Sequence, residues 1–315
     1  MLTGYFKSNK PIAGLSVVLL PAALMPLWTL SQPLGWAGHL GLALSSGLLA
    51  GLVNLFLIYR SGYMKTTFLL GWTWWVVLLG LSQSGHGLSW ADLLGALLTM
   101  LSVGFVLTLH QPVGNKDLVA LNIGLLGALA SWIRPDALVV MPLAWLGMGI
   151  YGHLNLRRVL VSLLPLAGTW ALLYPMSLWQ GSFIHPPTPV LLFSGELWPS
   201  NIPAGWYWGA LSLVPILLQS IAALTKAKRM KRHAIQFCLG ALLLLLIWAI
   251  ALPMAWAWIP GAISIPLSML TANALDYTQK GWARGLWILG YLAAALHAAW
   301  TPDLGLNALL EGTIF

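Results

Sequence analysis

The sequence predicts an all-α fold, a polytopic transmembrane helix bundle of about eleven spans forming a single integral membrane domain over residues 1–315. Three observations predict it. Only 7% of residues are charged and 59% are hydrophobic, with a mean hydropathy of +0.84. A soluble domain carries about 25% charged residues, so this chain cannot cover itself with a water-compatible surface. Several uncharged runs reach about 18 residues or more, the length that crosses ~30 Å of hydrocarbon. Basic residues fall almost entirely into alternate connecting segments.

Hydropathy sets the spans near 12–30, 40–59, 66–82, 91–109, 118–133, 137–151, 159–178, 205–224, 234–254, 257–274 and 284–301. The first follows Lys7 and Lys10. It is too long for a signal-peptide core and has no convincing small-residue cleavage site, so it reads as a retained helix. With the N-terminus in the cytoplasm and sides alternating, 14 of the 15 Lys and Arg lie inside and the C-terminus lies outside. The outer side keeps Arg134 and five of the seven acids, Asp92, Asp136, Glu196, Asp303 and Glu311.

Residues 118–151 test this arrangement. One long helix there would turn Arg157, Arg158 and the run TKAKRMKRH outward, against the charge rule. A helical hairpin is therefore expected, with its turn at SWIRPDAL, residues 131–138. Its short arms draw the turn slightly below the outer surface. Pro135 breaks the helix, and Asp136 is expected to cap the next one.

Other residues read as packing devices. Gly47 with Gly51, and Gly124 with Ala128, are small-xxx-small pairs expected to bring helices close within the bundle. Pro21, Pro142, Pro165, Pro215 and Pro266 fall inside spans, where kinks are tolerated. Most of the 19 Trp fall near span ends, at headgroup level. Mid-span carries uncharged polar groups such as Asn54 and Asn122. The single cysteine, Cys238, excludes a disulfide within the chain.

Chemistry is sparse. The seven His are scattered, with no i, i+4 pair and carboxylate helper, so no metal is expected. There is no phosphate-binding glycine loop, no GxSxG and no Cys pair, and no cofactor is expected. The isoelectric point near 9.8 expresses membrane topology rather than nucleic-acid binding. The run from Lys226 to Arg232 is read the same way, with attraction to anionic headgroups as a by-product. The candidate sites are outside. Arg134 is suited to hold a lipid phosphate through its fixed fork of donors. Asp136 is placed to orient or deprotonate an acceptor hydroxyl. The longest outer loop, 179–204, carries five Pro, His185 as a candidate substrate contact and Glu196 as an alternative acid or base. It is either a stiff connector or a lid over a lipid-facing site.

The stretch LASWIRPDALVVMPLAWLGMGIYGHLNLRRVLVSLLPLAG, residues 129–168, resembles one found in membrane glycosyltransferases of the GT-C class. Arg134, Pro135, Asp136 and Ala137 match its Arg-Pro-acid-small pattern, and Arg157 and Arg158 match its basic cluster. The resemblance implies handling of a polyprenyl-phosphate-linked sugar outside the cytoplasm. The class carries its catalytic carboxylate in a long first outer loop. Here that loop is SQPLGWAGHLG, residues 31–41, without Asp or Glu. The chain is thus expected to take part in envelope assembly as a GT-C-like protein, either non-catalytic or, if it is an enzyme, with Asp136 or Glu196 in the catalytic role. The opening MLTGYFKSNKPIAGLSVVLL, NLFLIYR at 54–60 and WIRPDAL also resemble an uncharacterised family of Bacteroidetes membrane proteins, known only as a domain of unknown function. That resemblance implies a bacterial inner-membrane location and no particular activity. The expected partners are the bilayer, a polyprenyl-phosphate lipid and other membrane subunits. The alternative function is a non-enzymatic structural subunit or a transporter. A transporter is the less expected of these, since mid-span charges and an internal repeat are missing.

Overall fold

The computed structural model describes residues 15–19, 36–61, 69–82, 90–110, 115–133, 135–179, 214, 216–225, 227–251 and 259–277. Among them there is no strand. Eight helices carry the bundle, α1 (Trp36–Ser61), α2 (Leu69–Ser82), α3 (Trp90–Leu107), α4 (Lys116–Ile133), α5 (Val140–Ile150), α6 (Leu156–Trp179), α7 (Arg229–Ala251) and α8 (Ile259–Tyr277), and residues 15–19 and 216–225 are helical as well. The eight coincide closely with eight of the segments read as spans. Three are long and apolar enough to cross a membrane by length and composition, at Leu40–Leu57, Trp90–Leu107 and Lys231–Ala249. Shorter apolar helices include Ala137–Ile150 and Ile259–Leu275.

The bundle is built around α8. Every residue from Ile259 to Leu275 is buried, and α2, α3 and α7 pack around it. α1 lies against α2 and α3, while α5 lies against α3 and α7. α4 rests on α3 and α5, and α6 is outermost, packed chiefly on α4. A helix enclosed on all sides has no water for its polar groups. Its hydroxyls therefore bond its own carbonyls: Ser264 to Gly261 at 2.6 Å, Ser268 to Ile265 at 2.8 Å and Thr271 to Leu267 at 2.8 Å. Ser264 also accepts the indole N–H of buried Trp74 at 2.9 Å, tying α2 to the centre.

The outside is apolar too. α1 turns Leu40, Leu44, Leu48, Leu52 and Leu55 outward, one residue per turn. α6 does the same with Leu156, Leu160, Leu164 and Leu172. Continuous apolar stripes of this size are rare on a protein bathed in water and ordinary on one bathed in lipid.

Lipid supplies little hydrophobic drive for helices to associate, so close backbone approach must supply it. Gly124 does this between α4 and α6. A Cβ there would lie 2.1 Å from the Ser162 carbonyl oxygen. Gly51 of α1 faces Val18, and Gly261 of α8 lies against the Asp92 backbone of α3. The close packing read from the Gly51 and Gly124 motifs is thus within the chain.

The 118–151 hairpin is present. α4 and α5 are joined by a 3₁₀ turn, Pro135–Val139. Lys116 at the start of α4 and His153 just past the end of α5 reach the same Leu109 carbonyl, so the arms run antiparallel, and Gly127 lets α4 approach Met141 between them. One expectation is corrected here. α5 begins at Val140 with Val139 as its N-cap and no side-chain capping bond. The N-cap position lies three residues beyond Asp136, because Pro135 starts a 3₁₀ turn that precedes the α-helix.

Candidate functional site

Several charged residues, Lys116, Asp117, Arg157 and Arg158 among them, gather where α3 ends, α4 begins and α5 passes into α6. Local chemistry fixes each of these ends. Asn115 caps α4, its Oδ1 accepting the N–H groups of Asp117 at 3.0 Å and Leu118 at 3.4 Å. Asn155 caps α6 by accepting the Arg158 N–H at 2.8 Å. α5 stops in a Schellman motif, in which the His153 N–H reaches the Met148 carbonyl at 2.7 Å and the Gly152 N–H reaches Gly149 at 3.0 Å. Gly152 has φ +71°, a conformation that glycine adopts without steric cost. The sequence YGHLN at 151–155 therefore ends one helix and starts the next within five residues.

Two ties close the cluster. The Leu109 carbonyl, at the negative end of α3, accepts from Lys116 Nζ at 3.0 Å and meets His153 Nε2 at 3.2 Å. Asp117 engages two arginines, one with each oxygen. Arg158 Nε lies 3.1 Å from Oδ1 and Arg157 Nη2 lies 3.0 Å from Oδ2. Arg158 Nη1 also donates to the His153 carbonyl at 2.8 Å. Its side chain is 20% exposed, against 78% for Arg157. Arg158 is thus a structural strut, while Arg157 spends one nitrogen on Asp117 and keeps most of its five donors free to meet another group. Desolvation, then the charge of Arg158, lowers the Lys116 pKa. Burial also lowers that of His153, opposed by its bond to Leu109 and reinforced by Lys116 and Arg158.

The start of α7 reaches the same end of the bundle, where the His233 ring lies 5.4 Å from that of Tyr151. Lys228 and Arg232 are exposed nearby in sequence. Three basic segments separated by long stretches of chain are thus drawn to one end. The arrangement carries an excess of positive charge and is suited to anions.

The chain matches no family model, no curated protein and no solved structure.

Of the residues singled out from sequence, Arg134, His185, Glu196 and the Asp136 side chain lie outside the described residues. The backbone of Asp136 lies in the 3₁₀ turn, at the end of the hairpin away from Lys116 and His153. Buried Asp92 stands at the start of α3, also away from the charged cluster. Among the described residues no group of three His, Cys, Asp or Glu could hold a metal. Sequence reasoning missed Asp117 as the hub of the cluster. A signal existed: Asp117 is one of two acids on a face otherwise made of Lys and Arg, and such an acid finds basic partners.

Proposed function

We propose that the chain is a multi-pass protein of the bacterial inner membrane, with about eleven spans, its N-terminus inside and its C-terminus outside. Its function in this reading is cell-envelope assembly, handling a polyprenyl-phosphate-linked glycan at the outer face. Arg134 binds the lipid phosphate through its planar fork of donors. Asp136 pairs with Arg134 when the site is empty and faces an acceptor hydroxyl when it is filled. His185 and Glu196, in the 179–204 segment, are the further candidate contacts of this reading. The observation that carries the reading is the 3₁₀ turn Pro135–Val139 between two antiparallel helices. Such a turn supports a basic and an acidic residue at the tip of a hairpin, near the headgroup plane, where an ion pair is stronger than in water. The similarity of 129–168 to GT-C enzymes supplies the substrate class.

The test is a thermal-shift or native-mass measurement of the purified full chain with a polyprenyl phosphate. Lipid stabilisation is expected for the natural protein, lost in Arg134→Gln and partly kept in Arg134→Lys, because a point charge lacks the fork. Equal stabilisation of the natural protein and Arg134→Gln would leave the turn as a turn only.

A further inference from the structure

The outer face of α6 carries a shallow, open groove lined by residues of that helix alone, which include Leu156, Arg157, Leu160, Leu163, Leu164 and Ala167. Apart from Arg157 its lining is aliphatic. Arg157 marks one end and Ala167 the other, ten positions along the helix. At a rise of about 1.5 Å per residue this is about 15 Å, half of the ~30 Å hydrocarbon core and therefore the depth of one leaflet. A cation at headgroup level, with an open aliphatic face running one leaflet inward, matches the polarity and length of a single lipid molecule.

Charge selects the headgroup. Asp117 neutralises one of the two guanidinium groups that it touches, and Arg158 is committed to the strut. The net positive charge at the rim thus resides on Arg157, with Lys116 close behind. We infer that the outer face of α6 seats one anionic phospholipid, its phosphate on Arg157 and one acyl chain in the groove toward Ala167. The inference rests on the membrane placement proposed above and is independent of the polyprenyl-phosphate reading, which concerns the other end of the α4–α5 hairpin.

The purified full chain in a neutral detergent is titrated, by native mass spectrometry, with phosphatidylglycerol or phosphatidylcholine bearing the same acyl chains. Phosphatidylglycerol is expected to bind about fivefold tighter, the preference that one interfacial basic residue confers. Arg157→Gln brings the ratio to one, and Arg157→Lys keeps part of it. Ala167→Trp fills the inner end of the groove and weakens both lipids. Lys228→Gln leaves the ratio unchanged. Inorganic phosphate at the lipid concentration does not compete. A ratio of one in the natural protein overturns the inference, as does a preference that survives Arg157→Gln. Loss of the preference in Lys228→Gln would mean diffuse surface charge, and competition by inorganic phosphate would mean a simple anion site; either overturns it. A change in oligomeric mass with Ala167→Trp, in place of weaker lipid binding, assigns the face to a protein partner instead. A chain that leaves membranes without detergent ends the membrane reading itself, whereas a detergent-requiring chain with no preference ends this inference alone.

Discussion

Gly124 and Gly168 show how much one methyl group matters when its surroundings differ. A Cβ at Gly124 meets the Ser162 backbone, which cannot swing aside, whereas a Cβ at Gly168 meets nothing within 4 Å. Gly124→Ala is expected to cost about 1–3 kcal/mol through overpacking. Gly168→Ala, on an exposed helix face, is expected to stabilise by up to about 1 kcal/mol through helix propensity. Thermal midpoints in detergent check both, and the opposite order would mean that α4 and α6 do not meet at Gly124. His153 gives a pH prediction. Its folded pKa lies below the ordinary 6.5. Between the two values the unfolded chain binds more protons, so stability rises with pH. The contribution is complete above 6.5 and is lost as pH falls through the folded value. His153→Gln is expected to flatten that part of the stability–pH curve, and an unchanged slope would assign the dependence to another group.

Elements are joined here by a few polar ties set in apolar contact. Asn54 of α1 accepts the Gly71 N–H at 3.2 Å, one of the donors left unpaired at the start of α2. In lipid no water replaces that bond. Asn54→Leu is expected to cost about 1–3 kcal/mol, the penalty for stranding a buried donor. A midpoint unchanged from the natural protein would show that the donor has another acceptor. The two ion pairs of Asp117 join the start of α4 to the start of α6, but unequally. A double-mutant cycle of Asp117→Asn with Arg158→Gln is expected to give coupling near 1 kcal/mol, and one with exposed Arg157→Gln close to zero. Equal couplings would contradict the division into a strut and a free cation.

The whole molecule makes the topology prediction. Reporter fusions after residues 117 and 155 are expected on the cytoplasmic side, and those after 35 and 315 outside, because charge places them so. A cytoplasmic C-terminus would overturn the eleven-span arrangement. In the structure Lys116 and His153 meet at the same Leu109 carbonyl, in keeping with one side for 117 and 155.

Composition and hydropathy alone determined that the chain is helical and apolar, and roughly where its helices lie. A run of nonpolar residues about 20 long has few structural choices, since lipid forces every backbone group to bond within its own segment. The hairpin was legible because charge at 157–158 and 226–232 acts on topology from outside the helices. The order of burial was not legible. α1 and α8 are both apolar, yet α1 shows a leucine stripe to the outside while α8 is enclosed on every side. Hydropathy registers transfer out of water and cannot distinguish lipid from protein as the destination. The hub at Asp117 was hidden for a related reason, as its partners are about forty residues away in sequence and only the return of α5 brings them within 3.1 Å. Which side of α6 faces outward was likewise decided by packing, since α4 lies along one side of that helix and leaves Arg157 and the leucines beside it on the other.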